Sequence, residues 1–221
     1  MKNFYQQNKN KITKRIKNKL IHFILLSFFA TSLQAAVPGS VVTSFPIKAN
    51  FLTQNPTNSE IYVSVPFAVV VIDSKTLQIT KTIPVWGNPQ GLAVSKDGSK
   101  LYIATSSAQQ LAVIDLKSYQ LISPITLPYL PYQVVIGSNG YAYASEANPA
   151  YINQGIMKIN LTQGKFEKIF PDSSPLPPFF QNGLLAISAD GNTLYYGSQS
   201  PFPSILIAFD ITKDSPIVSY N

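Results

Sequence analysis

The stretch VVVIDSKTLQITKTIPVWGNPQGLAVSKDGSKLYIATS, residues 69–106, is followed almost at once by LAVIDLKSYQLISPITLPYLPYQVVIGSNGYAYAS, residues 111–145. The second nearly restates the first. Ile72-Asp73 recurs as Ile114-Asp115, Ile159-Asn160 and Phe209-Asp210, at spacings of 42, 45 and 50 residues. A second marker runs ahead of each pair: SEIY at 59–62, DGSKLY at 97–102, SNGYAY at 138–143 and DGNTLY at 190–195. A period of about 40–50 residues marks units that stack on one another to bury a shared core. Four repeats result, at approximately 40–84, 85–127, 128–171 and 172–221.

Within a repeat the apolar segments are short and β-rich. GLAVS, KLYIATS, LAVIDL and YQLISPITL carry Val, Ile, Leu and Tyr and are separated by Asp-Gly, Asn-Gly, Pro and Ser, the signature of strands joined by tight turns. Asp97-Gly98, Asn139-Gly140 and Asp190-Gly191 suit hairpins, because glycine accepts positive φ and the Asx side chain bonds nearby backbone. No segment after residue 37 has helical periodicity. The expected fold is all-β: a β-propeller of four-stranded antiparallel blades, with four blades present.

The segment NPQGLAVSKDGSKLYIATSSAQQLAVIDLKSYQLISPITL, residues 88–127, resembles the bacterial and archaeal YVTN-type β-propeller repeat. That pattern runs Pro-x-Gly, a short apolar strand, Ser-Pro-Asp-Gly, a Leu-Tyr-Val strand and Val-Ile-Asp-x-x-Thr. Lys96 stands in place of its proline, and Ala104-Thr105 where Thr-Asn is frequent. The resemblance implies an extracytoplasmic propeller, with rings usually of seven blades. Relatives include lactonases, proteins that carry redox cofactors and nucleic-acid binders. The motif specifies structure, so it implies shape more than activity.

With strands lettered a to d outward from the axis, SVVTSFPI at 40–47 has the pattern of a d strand, although the last repeat supplies its own in PIVSYN. The spare strand predicts an open arc, a truncated product or a partial ring that needs a partner or self-association, rather than a closed four-bladed ring. Asp73, Asp115 and Asp210 are expected to close strand c and accept hydrogen bonds from the following turn. Tyr62, Tyr102 and Tyr195 are expected to pack between blades.

Charge and residue inventory narrow the chemistry. The net charge of +7 arises entirely before residue 37; from there onward ten lysines balance ten acids. The basic start runs into LIHFILLSFFA, residues 20–30, then TSLQAA. This predicts a signal peptide over 1–36, cleaved near Ala35 or Ala36, and a propeller domain over 37–221 in the periplasm or outside the cell. No membrane span is expected after cleavage, since the apolar run is shorter than the ~20 residues a span needs. His22 and Arg15 are the only residues of their types and cysteine is absent. The region beyond 36 therefore lacks the parts for Ser-His-Asp or Cys-His catalysis, His-ligated metal and Arg clamps on phosphate. No cofactor or metal is expected, and a neutral domain lacks the driving force for nucleic acid.

Antiparallel alternation puts the a–b and c–d turns on one face and the b–c and d–a loops on the other. The second face holds the unusual material, in PVWGNPQ (84–90), LPYLPYQ (127–133), SEANPAYINQG (145–155), PDSSPLPPFFQNG (171–183) and GSQSPFPS (197–204). Its candidate contacts are Trp86, Asn88, Tyr129, Tyr132, Glu146, Asn148, Tyr151, Phe179, Phe180 and Phe202. Aromatics held by prolines beside adaptable amides suit a protein, peptide or glycan partner. The expected function is a non-enzymatic binding scaffold. The alternative is a lactonase-type hydrolase acting on a lactone or sugar, with Glu146 its weak catalytic candidate and Asp172 a second acid.

Overall fold

Every strand in the computed structural model belongs to one of four antiparallel sheets of four. Residues 43–147, 156–169, 183–197 and 206–220 are described, and all four sheets lie in one unit, Phe45–Asn221. Blade one comprises β1 (Leu52–Gln54), β2 (Glu60–Val65), β3 (Ala68–Asp73) and β4 (Gln78–Pro84). Blade two comprises β5 (Pro89–Val94), β6 (Lys100–Thr105), β7 (Gln110–Asp115) and β8 (Gln120–Thr126). Blade three is β9 (Pro131–Ile136), β10 (Tyr141–Glu146), β11 (Met157–Asn160) and β12 (Phe166–Lys168). Blade four is β13 (Leu184–Ile187), β14 (Thr193–Gly197), β15 (Leu206–Asp210) and β16 (Ser215–Tyr220). Each sheet runs a, b, c, d in chain order.

The burial of each strand follows from its place in the sandwich. β3 and β7 are buried on both sides over four consecutive residues, which is why AVVVID and LAVID read as unbroken apolar runs. The outermost strands β4 and β8 are almost wholly exposed. Consecutive blades meet through apolar clusters. Tyr62, Val69 and Val71 of blade one pack on Leu101, Ile103 and Ile114 of blade two. Ala104 and Leu111 pack on Val134 and Ile159 of blade three, and Tyr143 and Ile156 pack on Leu194 and Phe209 of blade four.

The sheets do not close into a ring, as the spare-strand count predicts. The spare segment itself differs from expectation: residues 43–47 form no strand. Phe45 and Ile47 instead lie over Val63, Val70 and Ile72, on the face of blade one turned away from blade two. That apolar face is unmatched within the arc, and two side chains laid face-on shield it from water without needing a strand edge.

Tyr62 and Tyr102 are buried between blades, with 0% and 4% exposure, and Tyr143 holds the same position in blade three at 0%. Tyr195 departs from expectation at 39%. Among the described residues no fifth blade follows to cover it.

Candidate functional site: the b–c and d–a loop face

On the face of the a–b and c–d turns, the acids are occupied by structure. Asp73 accepts backbone N–H bonds from Lys75 (2.9 Å) and Thr76 (2.7 Å). Asp115 caps Ser118, Asp210 caps Thr212, and Asn160 serves identically for Thr162 and Gln163. In the a–b turns Asp97 is held by the Ser95 and Ser99 hydroxyls and Asp190 by the Ser188 hydroxyl. Hydrogen bonds to the ionised form lower these carboxyls, Asp97 and Asp210 to about 2. They are poor proton donors at neutral pH and carry turn geometry rather than chemistry.

The opposite face is built differently. β2 and β3 are joined by the two-residue turn Pro66-Phe67, in which Phe67 adopts φ 63° and stands 68% exposed. A left-handed backbone is uncommon for an aromatic, and here the tight turn behind Pro66 imposes it and holds the ring outward. The Val85 N–H donates to the Phe67 carbonyl at 2.9 Å, so the b–c turn of blade one is tied to the loop carrying Trp86. Trp86 is 81% exposed.

What keeps Trp86 outward is the seating of the loop behind it. Gly87, at φ +89°, lies so close to blade two that an added Cβ would meet Ala108 Cβ at 2.7 Å. Ser107 N–H donates to the Gly87 carbonyl (2.9 Å), and the Asn88 amide donates to the Ser106 hydroxyl (2.9 Å). Beside the indole opens a groove of about 150 Å³, lined by Val85, Gln110, Ala112, Leu121, Ile122 and Pro124. Gln110 is its one polar residue. Leu121 and Ile122 are 45% and 41% exposed although apolar. A groove of this kind excludes water from an inserted apolar group and offers a single amide for orientation.

Glu146, at the end of β10, presents a second kind of feature. It is 7% exposed, and its Oε2 is buried without a hydrogen-bond partner. Burial pushes its carboxyl up to about 7, with Lys168 drawing it partly back. Its neighbours are committed elsewhere: the Ser145 hydroxyl donates to the Gly183 carbonyl at 2.7 Å. Among the described residues no other acid stands with it, and no group of three metal-ligating side chains occurs.

The remaining expected contacts sort by environment. Asn88 is half-buried and holds its own loop. Tyr129 is buried between blades two and three, its hydroxyl donating to the Ala144 carbonyl at 3.0 Å, so it packs rather than faces solvent. Tyr132 is half-buried edge-to-face against Phe51, with ring centroids 5.4 Å apart. Asn148, Tyr151, Phe179, Phe180, Phe202 and Asp172 lie outside the described residues. The structure adds Phe67, Leu121, Ile122 and Pro124. VPFAVV conceals Phe67 inside an apolar run, and Pro124 within QLISPIT is the one sign that β8 is an edge strand.

Four-stranded antiparallel sheets, stacked in chain order through their faces with the first strands innermost, define a β-propeller arc. Solved structures agree. Hydrazine synthase of Kuenenia stuttgartiensis superposes with a TM-score of 0.64 at 19% identity, over 83% of this chain and 52% of that one. The Cps50 (Swd1) β-propeller domain of Myceliophteria thermophila gives 0.59 at 13% identity, over 81% of this chain and 57% of that domain. In sequence, the chain is 30% identical over 164 residues to Antigen Lp49 of Leptospira interrogans. That match covers 69% of this chain and 34% of the antigen, so the chain spans about a third of its curated relative's length. No protein-family profile matches.

Proposed function

We propose that the chain is an exported, non-enzymatic binding scaffold whose b–c and d–a loop face docks a protein or peptide through the groove beside Trp86. The observation that carries this is an indole 81% exposed beside an apolar groove, on a loop whose backbone is fixed to the next blade. An exposed aromatic held rigid loses little entropy on binding, and Trp is the residue type most enriched among binding anchors. The propeller fold of its structural neighbours, a frequent platform for protein contacts, supports the same reading. Export is inferred from the basic start and the apolar run at 20–30. Hydrolase chemistry of the lactonase type is the second reading and rests on Glu146, beside which no other acid stands among the described residues; Asp172 lies outside them.

Trp86 is the only tryptophan in the chain, so its fluorescence reports directly on the groove. Peptides selected against the purified protein from a displayed library should shift its emission to shorter wavelength, saturably. Leu121→Asp should weaken their binding at least tenfold. Selected peptides that bind without moving the emission, and that ignore Leu121→Asp, would exclude the groove as the docking site.

A further inference from the structure

The depth of the groove beside Trp86 is set by one residue, and the repeat identifies it. Two residues before Ile72-Asp73 and its equivalents, strand c carries Val70 in blade one, Met157 in blade three and Ile207 in blade four; in blade two the residue is Ala112. Met157 and Ile207 pack into the seams they face, whereas Ala112, with its single methyl group, lines the groove. The strand beside it is also displaced. Opposite Ala112 the β7–β8 register slips, so that Ser123 and Pro124 together face one residue. In blades one and four the slip falls nearer the c–d turn, at Val71/Ile72 and Ala208/Phe209. A bulge re-aims side chains and interrupts pairing, and Pro124 has no N–H to offer an added strand. An occupant is therefore held by its side chain rather than by strand addition.

Charge limits the occupant further. Neither the groove lining nor the described loops beside it, residues 84–90, 106–109 and 127–131, contain an acid or a base. A charged group entering would lose its hydration without meeting a counter-charge. The volume of about 150 Å³ matches that of an apolar cavity that takes up benzene, and the Trp86 indole at the rim adds ring-to-ring contact. We propose, on the strength of the docking role given above, that the groove takes one aromatic side chain from an uncharged segment of a partner polypeptide, and that Ala112 determines which side chains fit. Both walls belong to blades one and two, whose seam is complete within this chain.

The test uses the full chain and peptides selected against it from a displayed library that lacks tryptophan, with Trp86 emission as the readout. The selected peptides should share one Phe or Tyr flanked by uncharged residues. Replacing that aromatic by Ala or Glu should weaken binding to the wild-type protein at least about tenfold. Ala112→Val and Ala112→Met, which place the side chains of Val70 and Met157 in blade two, should lower the affinity by a similar factor without lowering the unfolding midpoint. Peptides that shift the emission and respond to Leu121→Asp, yet share no aromatic or bind through a charged residue, overturn the proposal and leave docking at the groove standing. Unchanged affinity in folded Ala112→Met protein does the same. If neither Ala112 variant folds, the peptide substitutions on the wild type decide alone. Peptides that neither shift the emission nor respond to Leu121→Asp remove the groove as a docking site, and the proposal with it.

Discussion

Blade two and blade four are built from the same repeat and live in different surroundings. In blade two, β6 is buried at five of its six positions and β7 at four consecutive ones. In blade four, β14 and β15 alternate between buried and half-buried or exposed. Neither pattern is a property of the strand alone. A strand with a sheet on each side must be apolar on both, while a strand covered on one side keeps every second side chain in water. The contribution of a residue here is set by which seam it occupies.

The contrast breaks most visibly under truncation of core leucines. Leu101, fully buried between blades one and two, should cost roughly 2–5 kcal/mol as Leu101→Ala, through lost transfer energy and the cavity left behind. Leu184→Ala, on the open side of blade four, should cost under about 1 kcal/mol when measured on monomer. Urea unfolding of both variants at low protein concentration makes the measurement. Equal losses would mean that blade four is covered in solution.

A pair of glycines sharpens the same contrast. A Cβ at Gly91 of blade two would sit 2.5 Å from Gln133 Cα and 2.8 Å from Val134 N, both backbone atoms of blade three. At Gly197 of blade four nothing lies within 4 Å. Gly91→Ala should therefore destabilise by about 1–3 kcal/mol, because two blades must part to admit the methyl group. Gly197→Ala should be neutral or stabilising by up to about 1 kcal/mol through the unfolded chain. Thermal melts of the two variants rank them directly.

Much of the blade architecture is legible in the repeat itself. The turn acids Asp73, Asp115 and Asp210 can be read from their neighbours because capping is local, decided within three residues. The seam tyrosines can be read because their period places them on equivalent strands, and Tyr195 escapes the rule because its burial needs a neighbour that the repeat pattern assumes. Each c–d turn also closes on a left-handed residue four after its cap, at Leu77, Tyr119, Gly164 and Asp214. Gly164 advertises that geometry and Asp214 tolerates it, whereas Leu77 and Tyr119 are drawn into it by the bond to the residue four back, as from Leu77 N–H to the Asp73 carbonyl. Composition singles out the Trp86 loop. It does not single out Phe67, Leu121 and Ile122, because apolar residues in β-rich segments read as core, and their exposure follows from turn geometry and from lying outermost in the sheet.

The last comparison concerns one position seen in two blades. Thr105 in blade two and Glu146 in blade three both stand three residues after the seam tyrosine. Thr105 is buried and satisfied, its hydroxyl within 2.9 Å of the Ala108 carbonyl and 2.8 Å of the Gln110 carbonyl. Glu146 is buried with Oε2 unpartnered. Its folded carboxyl titrates at about 7, raised from an ordinary 4.5 by burial. Below pH 4.5 the acid is protonated in both folded and unfolded chains, and it neither favours nor penalises folding. Between 4.5 and 7 the unfolded chain ionises while the folded chain retains its proton, so stability falls as pH rises, by up to about 3 kcal/mol in total. Above 7 the loss is complete and the contribution is flat. Glu146→Gln fixes the neutral form, so the difference in unfolding free energy between mutant and wild type should shift toward the mutant across that window and remain constant on either side. A difference that does not change between about pH 4 and about pH 8 would show that Glu146 ionises as freely in the folded chain as in water, and that the position it shares with Thr105 is wet in blade three.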